Sequence, residues 1–124
     1  MPGPVRMTVA LTRLPTLSRR EFQDYWLTQH GSLVRKLAVT LGILKYSQLH
    51  SEPDDSPPEG PSAPAWLAPY DGLAQIWYES REAFEARMAD PAGVDAARLL
   101  RQDERAFIDR EKSRLWWGLE HPIV

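Results

Sequence analysis

The chain carries three histidines, His30, His50 and His121, and no cysteine. Imidazole titrates near neutral pH and can both take and return a proton, so these residues are the first candidates for chemistry. His30 stands apart by position. It falls four residues after Trp26 and three before Leu33, on a stripe of Phe22, Trp26, Leu33, Leu37 and Leu41 where helical spacing calls for an apolar side chain. Two readings are open: an imidazole facing a pocket, or a buried one satisfied by a backbone carbonyl. Gly31, next in sequence, marks a place where a helix bends or another group approaches the backbone. Three imidazoles can hold zinc or iron, yet no pair has the HxH or HxxxH spacing that sets two ligands on one element. No metal is therefore expected, and no haem on His30 or His50 alone. The missing cysteine excludes disulfides, thiolate ligands and a cysteine nucleophile. No phosphate-cradling Gly-rich loop, nicotinamide or flavin fingerprint or nucleophile elbow occurs, so no cofactor is expected.

The element that must hold His30 is a helix from Leu17 to Leu41. Ser18 and Glu21 have capping-box spacing, Leu17 and Phe22 bracket them as a hydrophobic staple, and Gly42 marks the end. Before it, Val5, Met7, Val9 and Leu11 alternate with Arg6, Thr8, Ala10 and Thr12 as a half-buried strand. After it, Ile43 to His50 reads as a second strand. Leu44, Tyr46, Gln48 and His50 share one face, and Ile43, Ser47 and Leu49 the other. A third strand spans Asp71 to Glu79, with Gly72, Ala74, Ile76 and Tyr78 on one face and Asp71, Leu73, Gln75 and Trp77 on the other.

Ser80 can cap the helix that follows, and Asp90-Pro91 breaks it and opens another that runs from Val94 to Ile108. A last strand covers Ser113 to His121. Between the second and third strands, residues 51–69 hold six of the eleven prolines together with Glu52, Asp54, Asp55 and Glu59 and no basic residue. That composition reads as a disordered hairpin insertion. The alternative is a lid, with Trp66 and Leu67 covering a pocket mouth.

The order is β-α-β-β-α-β, a ferredoxin-like α+β fold with a four-stranded antiparallel sheet and helices on one face. Residues 1–124 are read as one domain. Five Trp, four Tyr and three Phe do not all fit under two helices. A second sheet packed face to face would bury the rest, so a homodimer with the helices outside is expected. A net charge of -2 with both signs interspersed argues against nucleic acid as partner. No stretch approaches a membrane span and no leader is evident, so a soluble cytoplasmic protein is expected.

Several runs together resemble the EthD family of dimeric α+β barrel proteins. Leu17-Ser18-Arg19-Arg20-Glu21-Phe22, Tyr25-Trp26 and His30-Gly31-Ser32-Leu33-Val34 are similar to its first helix. Tyr46-Ser47-Gln48-Leu49-His50 resembles its second strand, and Tyr70-Asp71-Gly72-Leu73-Ala74-Gln75-Ile76-Trp77 its third. Leu99-Leu100, Asp103-Glu104 and Phe107-Ile108-Asp109 resemble its closing helix. Ser32 stands where the family usually has Pro, and Gln75 where Glu is common. Proteins of this fold include cofactor-free cyclases, decarboxylases, monooxygenases, lactone isomerases and haem binders, so the fold does not select the chemistry.

The resemblance and the residue inventory together lead to a small cofactor-independent enzyme acting on an aromatic or polyketide-like molecule by cyclisation, dehydration, decarboxylation or isomerisation. His30 is the expected base and His50 its acid partner or carbonyl polariser. Tyr46 and Gln48 would donate hydrogen bonds to the enolate, Trp26 and Trp77 would pack on a ring, and Asp71 would bind substrate. His121 reads as a solvated chain end. The alternatives are a cofactor-free monooxygenase using the same base, and a non-catalytic dimeric protein that sequesters an apolar metabolite.

Overall fold

Ser18 starts the main helix as its sequence predicts. Its Oγ accepts the Glu21 N–H at 3.1 Å while Glu21 Oε1 accepts the Ser18 N–H at 2.9 Å, satisfying donors that a helix start leaves open. The computed structural model describes residues 4–52 and 70–124, so the lid or insertion expected around Trp66 and Leu67 lies outside the described residues. Helix α1 (Arg19–Tyr25) runs through a π-helical turn (Trp26–His30) into α2 (Gly31–Leu41). The single helix expected here is thus continuous but widened in the turn that carries Trp26 and His30. There the Gly31 N–H reaches back to the Trp26 carbonyl, and such wide turns are frequent at functional sites. Gly42, at φ 72°, closes α2 in the left-handed conformation that glycine adopts without steric cost.

Strands β1 (Val5–Leu11), β2 (Ile43–His50), β3 (Gly72–Tyr78) and β4 (Arg114–Leu119) form one antiparallel sheet in the order β2-β3-β1-β4. Helices α3 (Arg81–Ala89) and α4 (Pro91–Glu104) complete the ferredoxin-like β-α-β-β-α-β order, with the second helical region in two pieces. Ser80 Oγ caps α3 by accepting the Ala83 N–H at 2.9 Å, and Pro91 sits in the first turn of α4.

One expectation is refined and one corrected. The register of β2 shifts between Ile43, opposite Tyr78, and Lys45, opposite Trp77, so Leu44 is bulged out of the ladder and exposed, though it still lines the cavity that Tyr46, Gln48 and His50 line. Helix α4 stops at Glu104 rather than near Ile108. Beyond it the chain pairs with the segment after β1, through Leu14 N–H to Phe107 O at 2.9 Å and Asp109 N–H to Thr12 O at 2.8 Å. Phe107 and Ile108 stay in the core all the same.

The core lies between the helices and the sheet face that carries Val9, Leu11, Ala74 and Tyr46. Phe22, Trp26, Phe107 and Ile108 pack against it, with Phe22 rings 5.6 Å from Trp26 and 5.5 Å from Phe107. Trp26 can lie this close to β3 because Gly72 has no side chain: a Cβ there would collide with the Trp26 ring. On the opposite sheet face Trp77 is flanked by Arg6 at 4.3 Å and Lys45 at 4.6 Å, and Leu49 and Trp116 are 65% and 50% exposed. Among the described residues no helix is long and apolar enough to cross a membrane.

Asp71, only 1% exposed, ties the start of β3 to the loop after β1 and to α1. Its carboxylate accepts the Arg13 N–H at 2.9 Å, Arg13 Nη1 at 2.5 Å and Arg19 Nε at 2.9 Å. Removing one member of a buried pair leaves the other charges uncompensated. Asp71→Ala should therefore destabilise the fold by about 3 kcal/mol, the low end of the usual range because Arg13 keeps part of its side chain in water. Chemical denaturation of the two proteins measures it, and a loss within ordinary surface values would contradict this role.

Candidate functional site

The widened turn delivers His30 to a carboxylate on another element. His30 Nδ1 lies 2.8 Å from Asp103 Oδ2, and Asp103 Oδ1 accepts the Tyr25 hydroxyl at 2.5 Å. A carboxylate oxygen accepts, so Nδ1 carries a proton, and in the neutral imidazole Nε2 is the nitrogen with the lone pair. This partner separates the two sequence readings of His30. The ring is 6% exposed and packs 5.0 Å from Phe107, but what satisfies it is an acidic side chain and not a backbone carbonyl. The hydrogen bond to the Asp103 carboxylate pushes the Tyr25 phenol up to about 12, so Tyr25 remains a neutral donor that orients Asp103.

His30 lines a cavity of about 220 Å³ between the helices and the sheet. Met7, Val9, Leu11, Ala74 and Ile76 of the sheet form the apolar side with Trp26, while Tyr46, Glu104, Arg110 and Arg114 supply polar groups. The Tyr46 hydroxyl accepts hydrogen bonds from Trp26 Nε1 and Gln48 Nε2, both at 3.1 Å, so both lone pairs are engaged and its own O–H remains to donate. Burial raises the Tyr46 pKa, which keeps that donor neutral. Burial likewise raises the Glu104 pKa, against the lowering effect of His30, Arg110 and Arg101.

The other expected residues go elsewhere. His50 stacks on Trp26 at 4.6 Å, but it lines a second cavity of about 550 Å³ between α2 and β2 together with Gln48 and with Tyr46, which lines both cavities. Gln48 is fully engaged, its Nε2 donating to Trp26 O at 2.9 Å and to Tyr46, and its Oε1 accepting from His50 Nε2 at 2.7 Å. Since an amide oxygen only accepts, His50 carries its proton on Nε2, and desolvation lowers its pKa. Asp71 is held by Arg13 and Arg19, Trp77 lies on the far face of the sheet, and His121 is exposed.

The structure thus gathers His30, Trp26 and Tyr46 and adds Asp103 and Glu104. Sequence reasoning had no role for these two. Their signal was the Asp103-Glu104 pair in the closing-helix motif, but acidic residues at a helix end also read as a solvated face. Among the described residues no three His, Asp or Glu side chains gather as a metal set.

The EthD domain profile matches residues 14–111 of the chain. No curated protein resembles it closely enough to count as a match. Among solved structures, an ethyl tert-butyl ether D (EthD) family protein from Bacillus halodurans superposes with a TM-score of 0.62 at 15% identity, covering 95% of this chain and 99% of that one. SnoaB, a cofactor-independent oxygenase from Streptomyces nogalater, gives 0.54 at 15% identity over 98% of this chain and 96% of its own. A dimeric protein of unknown function and ferredoxin-like fold from Bacteroides fragilis gives 0.58 at 10% identity over 95% and 97%. At these identities the likeness is one of fold.

The raised Glu104 pKa has a consequence for stability. The unfolded chain keeps the ordinary value of 4.5, so the folded state loses stability as pH rises from there through the higher folded value, and the penalty persists above it. Glu104→Gln removes that penalty. The variant should melt at a higher temperature than the parent at neutral pH, with the difference vanishing below pH 4.5, as calorimetry across pH will show.

Proposed function

The chain belongs to the EthD domain family, and from that premise we propose that it is a small enzyme working without a bound cofactor, by acid–base chemistry next to a carbonyl, on an aromatic or polyketide-like molecule. The observation that carries this reading is the Tyr25–Asp103–His30 chain of hydrogen bonds ending at a cavity with an apolar wall. Asp103 fixes the tautomer and stabilises the imidazolium that forms when Nε2 takes a proton from carbon. Tyr46 O–H is the donor for the enolate oxygen that develops, and Trp26 with the apolar sheet side chains receives the ring. His50 acts through others, holding Gln48, which in turn holds Tyr46. The fold shared with SnoaB supports a second reading, in which the carbanion made at His30 reduces dioxygen. Oxygen uptake during turnover separates the two.

A dimer belongs to the same reading. The sheet face away from the helices exposes Leu49 and Trp116, and the structurally similar Bacteroides fragilis protein is dimeric. Packing two such faces together buries them and leaves both cavities on the helix side. In sizing with light scattering the protein should run at about twice its 14.2 kDa chain mass, and a monomer at micromolar concentration would contradict the packing.

The chemistry is tested on a generic probe. In deuterated water the protein should catalyse exchange of the α-protons of β-tetralone, an aromatic ketone, as followed by NMR. His30→Asn should lower that rate roughly 10²- to 10⁴-fold while melting within the range of ordinary single substitutions. Exchange no faster than buffer in the parent, or an unaffected His30→Asn, overturns the reading.

A further inference from the structure

We propose that Glu104 is the general acid of the cavity, protonating the oxygen that leaves when His30 removes an α-proton, so that the reaction is the dehydration of an aromatic β-hydroxy ketone. This rests on the reading of His30 as base. The geometry comes first: Glu104 and His30 line the same cavity from α4 and the π-turn, and Tyr46 lines it from β2. Adjacent residues of α4 divide the work. Asp103 holds the far nitrogen of His30, while Glu104 faces the space a substrate would occupy.

The remaining candidates for an acid are engaged or elsewhere. His50 lines the other cavity, Gln48 has its amide committed, and Tyr46, buried and neutral, is placed to donate to the carbonyl oxygen. The charged groups that act on Glu104 are His30, Arg110, Arg101 and Asp103, and Arg114 lines the same cavity. Burial outweighs the lowering effect of the cations, which favours the protonated carboxyl an acid catalyst needs.

Exchange and oxygenation need only a base, and decarboxylation needs only a proton supplied to carbon. Loss of water needs both groups, because hydroxide leaves poorly unless it is protonated. In this step His30 Nε2 takes the proton from the carbon next to the carbonyl, and the C–H electron pair becomes the new C=C bond. The C–O bond at the β-carbon breaks with its electron pair on oxygen, and Glu104 gives that oxygen its proton, releasing water. His30 then returns its proton through solvent to the Glu104 carboxylate, so the enzyme is unchanged and the substrate has lost one water. A ring that becomes aromatic on losing water would suit the apolar wall of the cavity.

The test uses the full chain and two probes. The tetralone bearing a hydroxyl β to its carbonyl dehydrates to naphthol, whose fluorescence reports the rate, and β-tetralone reports proton removal alone. Glu104→Gln should lower dehydration roughly 10²- to 10⁴-fold and α-proton exchange of β-tetralone by a much smaller factor. In ¹³C-carboxyl NMR, Glu104 should titrate above its ordinary value of 4.5. An undiminished dehydration rate in Glu104→Gln, a parent that exchanges but does not dehydrate, or a Glu104 that titrates at the ordinary value each overturns the proposal while the His30 reading stands. A parent that exchanges no α-protons removes the His30 reading, and this proposal with it. Isomerisation of a β,γ-unsaturated ketone that depends on Glu104, without dehydration, would reassign the proton to carbon and overturn the substrate class.

Discussion

The contact between Trp26 and Gly72 is the constraint on which the rest of the structure depends. The indole sits over β3 where any side chain would collide with it, and that approach sets the spacing between the helix layer and the sheet. From this position Trp26 reaches several elements. Its Nε1 donates to Tyr46, its carbonyl receives Gln48 and the Gly31 N–H of the π-turn, and its ring stacks on His50. A tryptophan this confined holds the cavity wall and aligns the strand side chains around it. The π-turn spans the same stretch, from Trp26 to His30, and its widened ring closes on the Trp26 carbonyl.

Carboxylates divide into two kinds in this molecule, and the difference is what surrounds them. Asp71 is fully ion-paired with Arg13 and Arg19 and joins β3, α1 and the loop after β1. It contributes to stability. Glu104 instead faces a cavity, where burial outweighs the nearby cations and favours its neutral form. Such a group weakens the fold near neutral pH, and proteins keep such groups where chemistry requires them. Asp103 stands between the two kinds: it is satisfied by Tyr25 and by Nδ1 of His30, a residue that lines the cavity.

What the sequence determined by itself was local. The Ser18–Glu21 cap, the Gly42 stop, the Ser80 cap and the alternation of β3 all appear where their patterns predict, because each is set by residues a few positions apart, whereas in β1 Thr8 and Ala10 on the expected outer face are buried as well. Element order followed from those signals and led to the ferredoxin-like arrangement, and the polar residue in an apolar helical stripe singled out His30. Tertiary structure alone decided what His30 meets. Asp103 lies 73 residues away, and no periodicity links a helix-end carboxylate to an imidazole on another helix. The same limit explains why His50 reads as a partner of His30 in sequence and lines a different cavity in space, and why β2 bulges at Leu44. It explains Asp71 as well, whose arginines are 58 and 52 residues distant and whose burial against them is invisible in its neighbours. Periodicity records which side of an element is apolar, whereas the charge state and role of a titratable group depend on the dielectric and the partners that packing brings to it.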